Sequence, residues 1–235
     1  MTTDRKTLLA PVLLAGLLLG TAACSSSGAA DAPSGGGALS FGKVKSVVQG
    51  LGPDASCPFG LDLAGALKAV GIERGVTPAA GTGGRPVRAE VVPGEEARAI
   101  PSGVTPSPAV ASLPARPESV QVWCSYTAGT TPLEIAVLAA PAEGIALNLA
   151  LPYLQQAGDL TGDQLVAVSG GQPAPGQTGT TPGRGSVGIA RIAVADKGDL
   201  TLLVSQGTKA ATPDAALTGE PLRALAGKLA AQLHV

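Results

Sequence analysis

The chain has few residues that could do chemistry, and the most reactive are three cysteines and one histidine: Cys24, Cys57, Cys124 and His234. Acid-base triads and zinc sites usually depend on a histidine that a neighbouring group holds in position. His234 lies one position from the carboxyl end of the sequence, where such support is scarce. We therefore predict that His234 is structural or exposed to solvent, and that no catalytic or metal site is built on it.

The other polar residues do not fall into a catalytic pattern. The acidic residues pair only in predicted loops and turns, where carboxylates commonly bind backbone amides: Glu95 with Glu96, Asp159 with Asp163, and Asp196 with Asp199. The GxSxG nucleophile elbow is missing around Ser169, Ser186 and Ser205. The glycine-rich residues 81–84 precede a predicted strand, whereas a dinucleotide fingerprint follows one. We predict no enzyme, cofactor or metal; a hydrolase whose carboxylates meet only in the fold is the less favoured alternative.

The amino end of the chain has the layout of a targeting segment. Arg5 and Lys6 precede an uncharged apolar run, and small residues follow it. This order is typical of a secretory signal peptide. The run covers residues 7–20, which is 14 positions, whereas a stable membrane span needs about 20. A retained transmembrane helix is therefore the weaker interpretation, and the sequence predicts export.

Cys24 follows the small residues directly, and a run of serines comes after it. The segment resembles a bacterial lipobox, in which the cysteine sulfur receives a diacylglycerol and cleavage occurs before that cysteine. Thr21 stands where leucine is usual. The resemblance implies a lipid on Cys24, and through it a location at the cell membrane on the extracytoplasmic face. The alternative is a secreted protein with a free amino-terminal cysteine, which would leave an exposed thiol in an oxidising compartment.

If Cys24 is acylated, Cys57 and Cys124 remain as an even pair outside the cytosol. Thiols in such compartments tend to oxidise. A zinc site is the competing interpretation, but two cysteines without a nearby histidine supply too few ligands. We predict one disulfide between Cys57 and Cys124.

Composition limits the partners and the domain plan. The 235 residues carry a formal net charge of -1, so nothing would attract nucleic acid. Glycine (33) and proline (20) are abundant, yet 45% of the residues are apolar, as in a globular protein. We predict a signal peptide over residues 1–23, a flexible Gly/Ser/Ala tether over 24–42, and one domain over 43–235. A tether of this composition reaches roughly 20 to 25 Å.

Hydrophobic spacing locates the elements that must position these residues. Leu63, Leu67 and Val70 predict a first helix directly after Cys57. Residues 86–92 fit a short strand, and residues 93–117 read as a long loop. Residues 119–140 alternate around a turn and predict a hairpin. In it Val120, Val122, Cys124 and Tyr126 share the buried face. Trp123 lies on the other face, where it either covers that side of the sheet or marks a binding surface.

The carboxyl-terminal half continues the same plan. Residues 141–158 predict a second helix, which Pro152 should kink or break. Residues 163–170 fit a strand, and residues 170–185 an exposed loop. A second hairpin follows, with Gly198 in the left-handed conformation at its turn. Leucines at 222, 225, 229 and 233 predict a last helix capped by Thr218. The sequence thus predicts a single α+β domain with an antiparallel sheet of about five to six strands flanked by three helices.

Two sequence contexts carry a wider resemblance: CPFGLDLAGALKAVGI around Cys57 and VWCSY around Cys124. With the lipobox and the tether, they are similar to the small actinobacterial envelope lipoproteins, many of which have a PsbP-like sheet-and-helix domain. That group has no established chemistry. The resemblance implies a membrane-anchored, non-enzymatic binding or accessory module whose partner is an unknown envelope protein. A carrier of an apolar or lipid ligand is the alternative.

Overall fold

The chain folds into an antiparallel sheet with helices on both faces, which is the α+β class that the sequence predicts. The structure is a computed structural model, and it describes residues 39–81, 84–99, 112–113, 115–207 and 213–233. All of these residues belong to one compact unit. Cys24, His234 and the predicted signal peptide lie outside the described residues.

Six α-helices and nine strands make up this part of the chain. The helices are α1 (Phe41–Gln49), α2 (Leu63–Ala69), α3 (Ala146–Leu149), α4 (Leu151–Gly158), α5 (Gly162–Gly170) and α6 (Glu220–Ala230). The strands are β1 (Val76–Pro78), β2 (Val87–Val92), β3 (Arg98–Ala99), β4 (Ser112–Leu113), β5 (Ser119–Ala128), β6 (Thr131–Ala140), β7 (Thr178–Thr180), β8 (Val187–Ile192) and β9 (Asp199–Ser205).

The main sheet has seven strands in six positions. Its order is β1-β5-β6-β9-β8-β7, and β2 also pairs with β5. Strand β1 pairs with residues 126–128 of β5, and β2 pairs with residues 119–124 of the same edge. One edge position is therefore shared by two short strands. Both predicted hairpins, β5-β6 and β8-β9, are confirmed, as is the strand at residues 87–92.

The larger core lies on the face covered by α1, α2 and α6. Every second residue of the central strands points into it, which is the pattern that the alternation of β5 predicts. Its fully buried members include Leu67 of α2, Val122 of β5, Ile135 of β6, Leu202 of β9 and Leu225 of α6. The leucine spacing of the last helix is thus confirmed.

The opposite face is covered by α3, α4 and α5 over a smaller apolar cluster that includes Leu138, Leu147, Leu154 and Leu203. Helices α3 and α4 are one predicted helix broken at Ala150, two residues before Pro152. Proline cannot supply the hydrogen bond that continues a helix, so it begins the new one. The predicted break is confirmed.

Cys57 and Cys124 form a disulfide, as the cysteine count predicts. Cys57 lies just before the short 3-10 turn at Pro58–Gly60 that leads to α2, and Cys124 lies in β5 with its side chain on the larger core. The bond fixes the start of α2 to the second strand of the sheet.

Residues 163–170 were predicted as a strand, and this is wrong: they lie in α5. Thr161 caps the helix, since its hydroxyl accepts from the backbone N–H of Gln164 while the Gln164 side chain accepts from the N–H of Thr161. This capping box stabilises the first turn and outweighs the strand preference of Val166 and Val168.

Other differences concern ends and short elements. Helix α1 was not predicted and begins inside the proposed tether, with Ser40 as its cap. Strands β1 and β7 were also missed, as were β3 and β4, which pair with each other inside the predicted loop over residues 93–117. Gly198 does not adopt the left-handed conformation, because the β8-β9 connection is six residues long and Asp196 closes it through the N–H of Gly198. Thr218 does not cap α6, whose first turn follows Gly219.

Candidate binding cleft

A cleft of about 250 Å³ lies between the main sheet and α4. Side chains from β2, β5, β6 and α4 line it, together with the segment before β2. The lining residues are Arg85, Arg88, Trp123, Ser125, Glu134, Pro152, Tyr153 and Gln156. Among the residues that the structure describes, charged, hydroxyl and aromatic groups converge in this cleft, and it is therefore the candidate functional site.

The register of the sheet places the floor of this cleft. Ser125 of β5 lies opposite Glu134 of β6, and Glu134 lies opposite Ser205 of β9. In the next row, Arg88 of β2 lies opposite Trp123 of β5. Opposed residues of antiparallel strands project to the same side, so these side chains all face α4. One row is polar and the neighbouring row is aromatic and cationic.

Arg85 is brought to the cleft by a tight turn of the segment between β1 and β2. The backbone N–H of Gly81 donates to the carbonyl of Arg85 over 2.9 Å, and the N–H of Ser125 donates to the carbonyl of Pro86 over 2.8 Å. A Cβ atom at Gly81 would lie 2.1 Å from Ser125 Oγ. A side chain at this position would therefore displace the Ser125 hydroxyl, and glycine lets the segment pass close to β5 without doing so.

Tyr153 of α4 closes the cleft from above through a hydrogen-bonded chain. Its phenol donates to Glu134 Oε2 over 2.9 Å and is also hydrogen-bonded to Ser205 Oγ. Ser205 Oγ accepts from the N–H of Gly207 over 3.1 Å, so the serine hydroxyl proton is free to point to Tyr153. The protons then run in one direction, from Ser205 to Tyr153 to the Glu134 carboxylate.

Burial, and after it the neighbouring Glu134 carboxylate, raises the pKa of Tyr153 well above its usual value; the hydrogen bond from Ser205 only partly opposes this. Tyr153 therefore stays protonated at physiological pH. A tyrosine held in this form donates a hydrogen bond but does not act as a base. The chain of hydroxyls positions Glu134, and it does not activate Ser205 as a nucleophile.

The raised pKa of Tyr153 gives a testable pH dependence. In the unfolded chain the Tyr153 phenol ionises near pH 10, whereas in the folded protein it stays protonated. The unfolded state then binds fewer protons than the folded state, so the free energy of unfolding should fall by about 1 kcal/mol per pH unit above pH 10. Tyr153→Phe should reduce this slope to the part that comes from Tyr126, whose pKa burial also raises, and it should cost about 1 to 2 kcal/mol at neutral pH, because Glu134 and Ser205 lose a partner. Urea denaturation of both proteins from pH 8 to 11 measures the difference. Parallel profiles would contradict the prediction.

Aromatic and cationic groups form the wall beside this chain. The rings of Trp123 and Tyr153 meet edge to face, with centroids 4.5 Å apart and an angle of 64° between their planes. The guanidinium of Arg88 lies 5.5 Å from the centre of the Trp123 ring, within the range of a cation-π contact. Both sequence interpretations of Trp123 therefore meet in one place: it packs on the smaller cluster and it lines a cleft.

Arg85 and Arg88 are exposed to solvent. Neither forms an ion pair within the part of the chain that the structure describes. The arginines that do form ion pairs there are 74, 116, 191 and 223. Glu134 is the acidic residue among the lining side chains. Positive charge therefore exceeds negative charge in the cleft, and both guanidiniums have their donors available.

The structure separates most of the residues that the sequence analysis examined. Ser169 donates to Asn148, and Ser186 is buried. Glu95 pairs with Arg116, and Asp196 binds the N–H groups of Phe41 and Gly198, as predicted for a turn carboxylate. Of that set, Trp123 lines the cleft, and Ser205 is hydrogen-bonded to Tyr153 of its lining. Within the described ranges, no group of three or more His, Cys, Asp or Glu residues could hold a metal ion.

A second polar cluster serves the structure. The guanidinium of Arg74 and the hydroxyl of Thr131 both donate to Asp214 Oδ2. The hydrogen bond from Arg74 is the main reason why the pKa of Asp214 falls to about 2. Asp214 Oδ1 accepts from the N–H of Ala216, so the carboxylate is saturated by the fold and holds the segment that leads into α6.

Most cleft residues could not be found from spacing alone. Arg85, Arg88, Glu134 and Tyr153 come from four separate segments, and no motif links them. The one available signal was Trp123, the single tryptophan of the chain, on the polar side of an alternating strand.

No helix among the described residues has the length and apolar character needed to cross a membrane. Comparison with known protein families, with curated proteins and with solved structures finds no match to this chain.

Proposed function

We propose that the protein is a non-enzymatic binding module of the cell envelope, attached to the membrane through a lipid on Cys24. The lipobox resemblance supports the anchor, and the cleft supports the binding role. The single observation that carries the proposal is the pair of exposed arginines, Arg85 and Arg88, which have no ion-pair partner in the described residues beside an aromatic wall. Such groups are common where a polar ligand or partner is recognised.

The hydroxyl chain supports binding over hydrolysis. A serine nucleophile needs a neighbouring base that can accept its proton. The neighbour of Ser205 is Tyr153, whose phenol is protonated and already donates to Glu134. The arrangement therefore gives a rigid donor-acceptor surface. Rigid polar surfaces lose little conformational entropy when a ligand binds.

The alternative, a carrier of an apolar or lipid ligand, needs a closed apolar cavity between sheet and helices. The space on both faces of the sheet is occupied by buried aliphatic side chains. The cleft described here opens to solvent and is lined by charged and polar groups as well as rings. These observations favour the binding module.

One experiment tests the anchor and the binding role together. The full chain, Cys24→Ala, an Arg85→Gln/Arg88→Gln variant and Arg223→Gln are expressed in a bacterial host with a palmitate analogue and recovered from detergent-solubilised whole cells for native mass spectrometry. We expect label on the wild type and the arginine variant but not on Cys24→Ala. Co-purified molecules should be lost from the arginine variant and retained by Arg223→Gln, which replaces a surface arginine outside the cleft and serves as the control. Equal label on Cys24→Ala would refute the anchor, and equal capture by the arginine variant would refute the role of the cleft.

A further inference from the structure

We infer that the cleft binds a small dipolar molecule, with a carboxylate or phosphate at Arg85 and Arg88 and a protonated amine at Glu134. This inference rests on the proposed binding function and names its ligand class. It follows from the opposite charges on the two sides of one small cleft.

The anionic end is assigned by the arginines. A guanidinium has five N–H donors in a planar fork that matches the two oxygens of a carboxylate or phosphate. Arg88 keeps its plane near the Trp123 ring, which limits its motion. Arg85 is held by the turn at Gly81. Two such forks without an acidic partner in the described residues favour an anion over a neutral group.

The cationic end is assigned by Glu134. Its side chain is half-buried and lines the cleft, and among the described residues Tyr153 donates a hydrogen bond to its Oε2. A carboxylate accepts up to about four hydrogen bonds, so most of this capacity remains. No basic side chain of the described residues lies in ion-pair contact with it. An ammonium group supplies both the charge and the donors that this position lacks.

The size of the cleft limits the ligand. A volume of about 250 Å³ equals roughly eight water molecules at about 30 Å³ each. A free amino acid or phosphoethanolamine fits that space as a whole, whereas a long chain would extend out of the cleft into solvent. Ser125 and Gln156 on the lining add polar groups for the middle of such a ligand. Charge and volume together point to a compact zwitterion.

Trp123 allows a direct test, because it is the single tryptophan of the chain and lines the cleft. The fluorescence of the purified protein is titrated with a panel of free amino acids and with phosphoethanolamine, each up to about 10 mM, and calorimetry repeats each positive titration. Succinate, a dianion, and ethylamine, a cation, serve as probes that carry charge of one sign only. We expect saturable binding of at least one dipolar probe, at least tenfold tighter than either probe of one sign. Whether amino acids or phosphoethanolamine bind more tightly identifies the source of the anion.

Variants assign each end. Arg85→Gln should weaken a dipolar probe at least fivefold. Glu134→Gln, which retains an acceptor for Tyr153, should weaken it by the same factor while leaving succinate unchanged. Arg223→Gln should change neither. The inference is overturned if succinate binds as tightly as the dipolar probes, if Glu134→Gln has no effect, or if no probe binds. In each case the proposed binding function survives if co-purification still depends on the two arginines, and it fails together with the inference if the wild type and the arginine variant co-purify the same molecules equally.

Discussion

Replacing Cys57 and Cys124 together by alanine is expected to lower the free energy of unfolding by roughly 4 kcal/mol. The two residues are 67 positions apart, and a crosslink that closes a loop of this length removes about that much entropy from the unfolded chain in the loop-closure treatment. The bond also joins the start of α2 to β5, so its loss removes a covalent link between that helix and the sheet while Leu63 and Leu67 stay packed in the larger core. Chemical denaturation of the oxidised wild type and the double variant gives the difference.

The same double variant separates stability from binding. Cys124 faces the larger core, whereas its neighbour Trp123 faces the cleft on the other side of the sheet. Below its unfolding transition, the variant should therefore bind the dipolar probes as the wild type does. The wild type treated with reductant is the chemical control and should match the variant. A loss below about 1 kcal/mol would show that the crosslink constrains little.

Replacing Arg191 by methionine is expected to cost about 3 to 5 kcal/mol, because it leaves a buried carboxylate without its partner. The side chain of Asp199 is 1% exposed, and its Oδ1 accepts from Arg191 Nε over 2.8 Å. Its Oδ2 accepts from the N–H of Ala146 over 2.8 Å, at the start of α3. The pair therefore links the start of α3 to strands β8 and β9 of the sheet. Thermal and urea unfolding should both report the loss.

The control for Arg191→Met is Arg223→Met. Arg223 forms an ion pair with Glu220 one turn away, but the two side chains are 43% and 69% exposed, and pairs in contact with solvent contribute little to stability. Adding Asp199→Leu to Arg191→Met should recover part of the stability, since no charge is then left buried. Equal effects of Arg191→Met and Arg223→Met would contradict the assignment of a buried pair.

The parts of the fold that could be predicted are those where local pattern and tertiary burial agree. The two hairpins alternate over many residues, and α6 repeats its leucines, so one face is apolar throughout. The disulfide followed from counting. Helix α5 was misassigned because its apolar residues are β-branched and closely spaced, while the deciding signal was polar: Thr161 and Gln164 at the spacing of a capping box.

The candidate site was less predictable, for a physical reason. A cleft on a sheet is assembled by register, and register joins residues that are far apart in the chain. Glu134 and Ser205 are cross-strand neighbours although 71 positions separate them in the sequence. Arg85 depends on a turn whose close passage over Ser125 is set by Gly81. Spacing in the sequence carries no trace of such contacts.

The edge position that β1 and β2 share has a consequence for how the protein can change. Between them the chain leaves the sheet at Ala79 and returns at Pro86, and both points bind the backbone of Ser125. The segment in between can lengthen or shorten without altering any strand pairing. This segment also carries Arg85. Ligand preference can therefore diverge by insertion and deletion at a single gap while the scaffold keeps its stability, so directed evolution of new binders should begin at residues 80–85.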